Sequence, residues 1–310
     1  MSDDCVILSL IDFKALYNDE DNSTIKEFGW LRKMFRNPKI PFSYNFIKSG
    51  FFDLEKVENV DAEFVDIIIS YQYNCFIIFT NDKIYFVDRS SNLLIHQIVF
   101  KTCVPLLDEN NDELYTTGPT GVVKFKLSKL MRTNRWQDCV VWDKKIITMD
   151  MYGIDIYTTS SQRFLVINEA TTDYLTFINC ETGDLVEDFK PLIKLDGCSL
   201  LILENQELII PFRNEIGIYQ IAHESTGMPK VNISKSKPLP PSDFYGIVYD
   251  SSRQYIILTN TFTDSVLVLR RSDLEIVKEH KMDGKITGIC LDERSGELLI
   301  ASSGRIIKFK

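Results

Sequence analysis

Four short apolar strands follow one another in residues 64–100, which read FVDIIISYQYNCFIIFTNDKIYFVDRSSNLLIHQIVF. The strands are rich in Val, Ile, Phe and Tyr, and turn residues such as Asn81-Asp82 and Ser90-Ser91 separate them. Two of the strands are nearly continuous apolar runs, which is typical of a sheet that is covered on both faces. The stretch therefore predicts a four-stranded sheet packed between neighbours.

This four-strand pattern recurs along the rest of the chain. The second strand of each copy is the clearest marker, and it begins at Cys75, Glu113, Arg163, Glu207, Tyr255 and Glu297. Successive starts are 38, 50, 44, 48 and 42 residues apart, which matches the roughly 40 to 50 residues of a four-stranded propeller blade. The sequence therefore predicts an all-β, six-bladed β-propeller.

The last copy ends at Lys310 after three strands, which would leave an unpaired sheet edge. FFDLEKV, residues 51–57, precedes the first copy at the same offset at which the outer strand of the fifth copy precedes the sixth. We expect this segment to supply the missing outer strand. Residues 51–310 would then form the propeller, and both ends of the chain would share one blade.

Residues 1–50 lie outside the repeat and are interpreted as an N-terminal extension. Residues 23–38, STIKEFGWLRKMFRNP, predict an amphipathic helix with a capping box from Thr24 to Glu27 and a stop before Pro38. We expect the helix to pack against the propeller, and contact of its basic face with a membrane or partner is the alternative. An extra, divergent blade built from residues 5–13 and 40–47 would give seven blades.

Two copies of the repeat resemble NHL-repeat blades. The similarity is carried by RFLVINEATTDYLTFINCETGDLVEDF, residues 163–189, and YIILTNTFTDSVLVLRRSDLEIV, residues 255–277. In each, an apolar strand runs into a short loop containing Asp or Asn, then a second strand and an acidic turn. The resemblance implies a six-bladed propeller.

Composition and charge exclude several classes of function. The net charge of −9 disfavours a nucleic acid partner, since a phosphate backbone would be repelled. Seven cysteines are scattered singly, as in proteins with reduced, buried thiols. The acidic N-terminus lacks the pattern of a secretory signal, and no run of about 18 apolar residues predicts a membrane span. A cytoplasmic monomer is expected.

The common sequence signatures of catalytic sites are absent. The chain contains no G-x-G-x-x-G, G-x-x-x-x-G-K-S/T, H-E-x-x-H or G-x-S-x-G motif, so no catalytic residue, metal ligand or cofactor is assigned. The predicted function is therefore a non-enzymatic scaffold that binds a protein or peptide. The alternative is a calcium-dependent lactonase or hydrolase, which would rest on fold analogy.

Loops between the second and third strands are the candidate binding surface, because loops on a rigid scaffold commonly carry function. They are polar and net acidic, and they contain one aromatic residue with an exposed context, so a basic or mixed partner segment is expected. The alternative for each residue taken singly is a solvated turn. The candidate residues are Asp82, Glu169, Asp173, Arg213, Glu215, Phe262 and Asp264.

Overall fold

The computed structural model describes residues 39–53, 64–118, 121–145, 151–169, 175–186, 199–223 and 229–310. Within them the chain forms six antiparallel sheets. First strands of most neighbouring sheets contact one another, so they line the inner ring and each sheet is a blade. The predicted six-bladed, four-stranded β-propeller is confirmed.

The first three blades follow the order of the chain. Blade 1 contains β2 (Phe64–Ser70), β3 (Cys75–Thr80), β4 (Lys83–Asp88) and β5 (Leu94–Val99). Blade 2 contains β6 (Pro105–Asp108), β7 (Glu113–Gly118), β8 (Gly121–Lys126) and β9 (Val140–Lys145), with a short helix, α1 (Leu127–Leu130), before its outer strand. Blade 3 contains β10 (Met151–Thr158), β11 (Arg163–Glu169) and β12 (Leu175–Asn179). Its fourth position is marked within the described residues by a single bridge between Ile178 and Leu185.

Three further blades complete the ring. Blade 4 contains β13 (Leu201–Ile202), β14 (Glu207–Pro211), β15 (Glu215–His223) and β16 (Pro229–Pro238). Blade 5 contains β17 (Phe244–Asp250), β18 (Tyr255–Asn260), β19 (Ser265–Arg270) and β20 (Ile276–Lys281). Blade 6 contains β21 (Ile286–Asp292), β22 (Glu297–Ser302), β23 (Arg305–Phe309) and, as its outer strand, β1 (Lys48–Asp53).

The turn between the first and second strands has the same backbone shape in five blades. The residue directly before the second strand has a positive φ of 49 to 68° in each case, and these residues are Asn74, Asp112, Gln206, Gln254 and Gly296. Only one of them is glycine, although glycine adopts this left-handed conformation most readily. The repeat is therefore more regular in its backbone conformation than in its amino-acid sequence.

Hydrophobic side chains fill the spaces between neighbouring blades. Strand β3 is buried along its whole length, and its successive side chains point to opposite faces. Ile78 packs in one cluster with Leu299 of blade 6, whereas Ile77 packs in another with Leu114 of blade 2. A second strand covered on both sides in this way must be apolar throughout, as the sequence pattern indicated.

Inner strands approach one another closely at a recurrent bulge. The ladder between first and second strands shifts register just before Gly153 and Gly288. A Cβ atom at Gly153 would lie 2.7 Å from the backbone nitrogen of Leu200, and one at Gly288 would lie 2.9 Å from Cα of Asp66. Glycine at these positions therefore permits contact between backbones of adjacent blades.

Residues 48–53 meet the C-terminal strand in blade 6. Strand β1 pairs antiparallel with β23, and Phe52 lies opposite Ile306. The sequence prediction placed the closing strand at residues 51–57, whereas the observed strand starts at Lys48. Residues 54–57 lie outside the described part of the chain. Antiparallel closure gives the final blade its fourth strand.

Residues 40–47, which the sequence analysis assigned to the extension, reinforce this closure. Phe42 and Phe46 are buried against blades 5 and 6. The backbone N–H of Phe42 and the hydroxyl of Tyr44 both donate hydrogen bonds to Asp250, over 3.3 and 2.6 Å. The segment contains no strand, so the alternative of a seventh blade built partly from it is wrong. The predicted helix in residues 23–38 lies outside the described residues.

Two neighbouring side chains in β1 provide a test of ring closure. Phe52 is 6% exposed and packs against blade 1, whereas Phe51 is 53% exposed. We expect Phe52→Ala to lower the free energy of unfolding by about 3–5 kcal/mol, because it opens a cavity at the seam. Phe51→Ala should cost less than about 1 kcal/mol. Urea unfolding of both variants measures this, and equal effects would contradict closure through β1.

Two carboxylates connect inner strands of adjacent blades. Asp66 accepts hydrogen bonds from the backbone N–H groups of Ile67 and of Ile289 in blade 6. Asp155 accepts one from Ile202 of blade 4 over 2.6 Å. Burial raises the pKa of Asp66 to about 7 and that of Asp155 to about 6, although the backbone hydrogen bonds act in the opposite direction.

The raised pKa of Asp66 makes the stability of the ring depend on pH. The folded state favours the protonated carboxyl, so its stabilising contribution is complete below about pH 4 and is lost as the pH rises through about 7. Asp66→Asn keeps the acceptor oxygen and cannot ionise. We expect this variant to be more stable than the wild type at pH 8 by more than about 1 kcal/mol, with the difference shrinking toward pH 4. Chemical unfolding at several pH values measures the difference, and a value that does not change with pH would contradict the assignment.

Candidate functional site

One face of the ring is built from the loops between second and third strands together with the segments that connect one blade to the next. We call it the connector face. Backbone hydrogen bonds join the two sets: Phe100 donates to Asp82, Thr261 to Asp243 and Ser303 to Lys285. The loops are therefore fixed to the connectors, and side chains on them project from a rigid base.

Phe262 is the most exposed large hydrophobic residue among those described, with 77% of its surface accessible. Its loop is nevertheless firmly held. The buried side chain of Asn260 accepts hydrogen bonds from the N–H groups of Phe262 and Thr263, over 3.0 and 3.1 Å. Thr261 bonds through both its backbone and its hydroxyl to the carbonyl oxygen of Asp243. The loop thus presents an aromatic ring to solvent from a fixed backbone.

Charged and apolar groups surround this loop. Arg213 from blade 4 forms an ion pair with Asp243 at 3.5 Å, and Asp243 is the residue that holds the Phe262 loop. Tyr245, two residues further on, is 47% exposed. Exposed prolines lie in the same connector, at positions 240 and 241. We call the group formed by Phe262, Tyr245, Arg213, Asp243 and Asp264 the blade 5 patch.

Asp264 has an unusual position at the end of the loop. Its φ of 47° lies in the left-handed region, which Asp tolerates better than most residues. Its carbonyl oxygen accepts a hydrogen bond from the N–H of Met282. Its Oδ1 is enclosed and has no hydrogen-bond donor within the described residues. An acceptor without a donor is costly, which is a feature often found at binding sites.

The structure brings together three of the seven residues that the sequence analysis selected. Arg213, Phe262 and Asp264 belong to the blade 5 patch and are linked through Asp243. Asp82 lies on the connector face in blade 1, and Glu215 is the first residue of β15. Glu169 ends β11, with a side chain outside the described part, and Asp173 also lies outside it.

The connector face is mixed in charge, whereas the loops alone suggested an acidic surface. Connectors contribute cations as well as acids, because they carry Lys101 and Lys285 beside Asp243 and Asp283. The sequence analysis did not select Asp243 and Tyr245, because the repeat pattern marks the loops within blades and not the connectors between them. The exposed Pro-Pro pair before Asp243 was the available signal.

The opposite face carries the other turns and uses its charged residues differently. Arg89 of blade 1 forms an ion pair with Asp292 of blade 6, and the Tyr71 hydroxyl donates to Asp292 over 3.0 Å. The guanidinium of Arg294 stacks on the Tyr71 ring, 4.0 Å from its centroid. Arg271 of blade 5 similarly pairs with Glu207 of blade 4 at 2.6 Å. These groups join neighbouring blades.

Blades 2 and 3 are joined by a buried charge network. Lys124 lies 2.7 Å from Glu113, and Arg163 lies 2.6 Å from Asp108 and 2.9 Å from Glu113. Burial raises the pKa of Glu113, but hydrogen bonds from Arg163, Lys124 and Tyr115 outweigh it and hold the pKa below its usual range. Each of these buried charges needs its partner, because an unpaired buried charge is strongly destabilising.

Other features that could form a site are few among the described residues. Within the described ranges, no group of three or more His, Cys, Asp and Glu side chains is placed to hold a metal ion. None of the described helices has the length and apolar character needed to cross a membrane. An open cleft of about 410 Å³ lies beside Arg163 and is lined by polar residues of the two turns of blade 3, among them Thr159, Gln162, Asn179 and Glu181.

Comparisons with known proteins define the fold class. No family model and no curated protein matches the chain. Among solved structures, it is similar to the β-propeller domain of Cps50 (Swd1) from Myceliophteria thermophila, with 9% identity, a TM-score of 0.59, and coverage of 85% of this chain and 99% of that one. It is also similar to a chain of the mitotic checkpoint complex, with 10% identity, a TM-score of 0.57, and coverage of 80% and 74%. At such identities the likeness shows the β-propeller fold alone.

The Phe262 loop can be tested through the residue that holds it. Asn260→Ala removes the acceptor for two N–H groups, so we expect a loss of about 1–3 kcal/mol in the free energy of unfolding. Amide hydrogen exchange at Phe262 and Thr263 should become faster. Asn260→Asp is the matched control, since it retains the acceptor oxygen and should preserve slow exchange. Equal exchange rates in both variants would contradict the role of Asn260.

Proposed function

We propose that this protein is a non-enzymatic β-propeller scaffold that binds a segment of another protein at the blade 5 patch. The observation that carries the proposal is the 77% exposure of Phe262 on a loop held by hydrogen bonds to Asn260 and Asp243. An exposed aromatic ring would ordinarily be disfavoured at the tip of a surface turn. A binding partner that covers the ring would remove its apolar surface from water.

Aromatic residues dominate the energetics of protein interfaces, since they bury a large area and lose few rotamers. Preorganisation adds to this, because a loop that is already fixed loses little entropy when a partner binds. Phe262 meets both conditions, because its side chain is aromatic and the hydrogen bonds to Asn260 fix its loop. Tyr245 supplies a second exposed ring on the same patch.

The charges of the patch indicate the chemistry of the partner. Arg213 and Asp243 pair with each other at 3.5 Å and are both exposed enough to exchange that pair for contacts with a partner. Asp264 adds a half-buried carboxylate at the end of the same loop, so a lysine or arginine of a partner would complement its charge. We therefore expect a peptide segment that combines an apolar side chain for Phe262 with a basic group for Asp264.

Known structures support the proposal at the level of fold. One of the two similar structures is a chain of a protein assembly, the mitotic checkpoint complex. The NHL-type interpretation stays a prediction. A cytoplasmic location also stays a prediction.

Substitution of the aromatic anchor tests the proposed site. We expect Phe262→Ala combined with Asp264→Ala to weaken partner binding by about 1–3 kcal/mol. The fold should survive, because neither side chain lies in the core clusters. Phe51→Ala is the matched control, since Phe51 is an exposed aromatic residue on the outer strand of another blade.

The measurement begins with affinity capture from the native cell, using wild-type and variant proteins as bait and mass spectrometry as readout. Proteins lost with the double variant and retained with Phe51→Ala are partners of the blade 5 patch. Titration of a purified partner then gives the change in affinity. Partners that bind all three proteins equally would contradict the proposal.

A further inference from the structure

Outer strands of the blades differ in how their free edges are protected. Natural sheets place Lys, Pro and other charged residues on edge strands, because an unprotected edge pairs with another chain. Strands β1, β9, β16 and β20 each contain two or three charged residues, which are Lys48, Asp53, Asp143, Lys144, Lys145, Lys230, Lys235, Lys237, Lys278, Glu279 and Lys281. Strand β5 contains none, and residues 90–100 include no Asp, Glu, Lys or Arg.

Exposed apolar side chains accompany this lack of charge. Leu93 and Val99 are each 68% exposed, and Ile95 is 48% exposed. Exposed apolar residues on other outer strands have charged neighbours. Phe51 of β1, for example, lies beneath Lys48, with the Nζ atom 5.6 Å from the ring centroid. The outer edge of blade 1 thus combines three exposed apolar residues with no protecting charge.

The geometry of β5 suits pairing with another strand. Residues His96 to Val99 pair in regular register with β4, from Phe86 back to Lys83. The opposite edge of β5 has no neighbouring strand within the described part of the chain. An added strand on that side would form a ladder with the backbone N–H and C=O groups of β5.

The best occupant is a second copy of the same strand. Two β5 strands related by a two-fold axis would pair antiparallel, which is the commonest symmetry of homodimers. Because residues 90–100 carry no charge, no antiparallel register would set like charges opposite each other. Apolar side chains such as Ile95 and Val99 would face apolar or neutral residues of the partner copy. The edge is thus complementary to itself.

We propose that two copies of this protein associate through their β5 strands and form a continuous sheet across two blades. This surface lies on the rim of blade 1, away from the blade 5 patch. The sequence analysis expected a monomer. Exposure of Leu93, Ile95 and Val99 in the folded ring changes that expectation.

Sedimentation equilibrium of the full chain, from low micromolar to several hundred micromolar, tests the proposal. We expect a dimer fraction that increases with concentration. Ile95→Lys and Val99→Lys should each raise the dissociation constant at least about tenfold, because each would place a lysine charge on the pairing edge opposite a neutral residue of the other copy. Val277→Lys on β20 is the matched control, since that strand already carries charges, and it should leave the constant unchanged.

A cross-link locates the contact independently. Ile95 of β5 is 48% exposed, so in a background of Cys5→Ser, Cys103→Ser and Cys198→Ser, which removes the exposed native thiol and the two thiols outside the described residues, a short bismaleimide should join two Ile95→Cys copies. Val277→Cys in the same background should remain uncoupled. A wild-type protein that stays monomeric throughout the concentration range would overturn the proposal. So would a dimer that is unaffected by both lysine variants, or one that Val277→Lys weakens equally.

Discussion

The ring depends on the antiparallel pairing of β1 with β23, residues 48–53 with residues 305–309. A propeller is a closed array in which every blade is packed between two others, so the loss of one seam exposes two apolar faces at once. The seam lies where blade 6 meets blade 1, and Phe52 packs across it. The chain thus uses two segments that are far apart in the sequence to form one blade.

Polar contacts reinforce the same seam at the rim of the ring. Arg89, Tyr71 and Asp292 join blades 1 and 6 at the turns, and Arg294 extends the group by stacking on Tyr71. Burial raises the pKa of Asp292, but the charge of Arg89 and hydrogen bonds from Ser295 and Arg294 hold it below the usual range. The charged form of Asp292 is therefore the stable one in the folded ring. Charged residues on this face are largely used for holding blades together.

The side chains on the connector face contribute little to the packing of the fold. The loops of this face are held by backbone hydrogen bonds and by Asn260, so side chains such as Phe262 and Asp264 are not needed for packing. A surface whose shape is fixed by backbone contacts can vary its side chains without loss of stability. This separation explains why the proposed binding patch lies here, whereas ion pairs such as that of Arg89 with Asp292 join blades on the opposite face.

Much of the architecture followed from the sequence alone. Second strands covered on both faces must be apolar throughout, so runs such as CFIIFT at Cys75 repeat once per blade and give the number of blades. Turn positions were less visible, because Asn74, Asp112, Gln206 and Gln254 adopt the left-handed conformation that a glycine would have signalled. The spacing of the repeat predicts which residues lie in the loops between second and third strands, and Phe262 and Asp264 were selected on that basis.

Only the tertiary structure decided which distant residues meet. Arg89 and Asp292 are 203 positions apart, and Arg213 meets Asp243 across the boundary between blades 4 and 5. Such pairs arise from the packing of one blade against the next, which no local pattern records. Exposure was decided in the same way: β3 and β5 are both apolar strands in the sequence, but packing on both faces buries β3, while the rim leaves Leu93, Ile95 and Val99 in solvent.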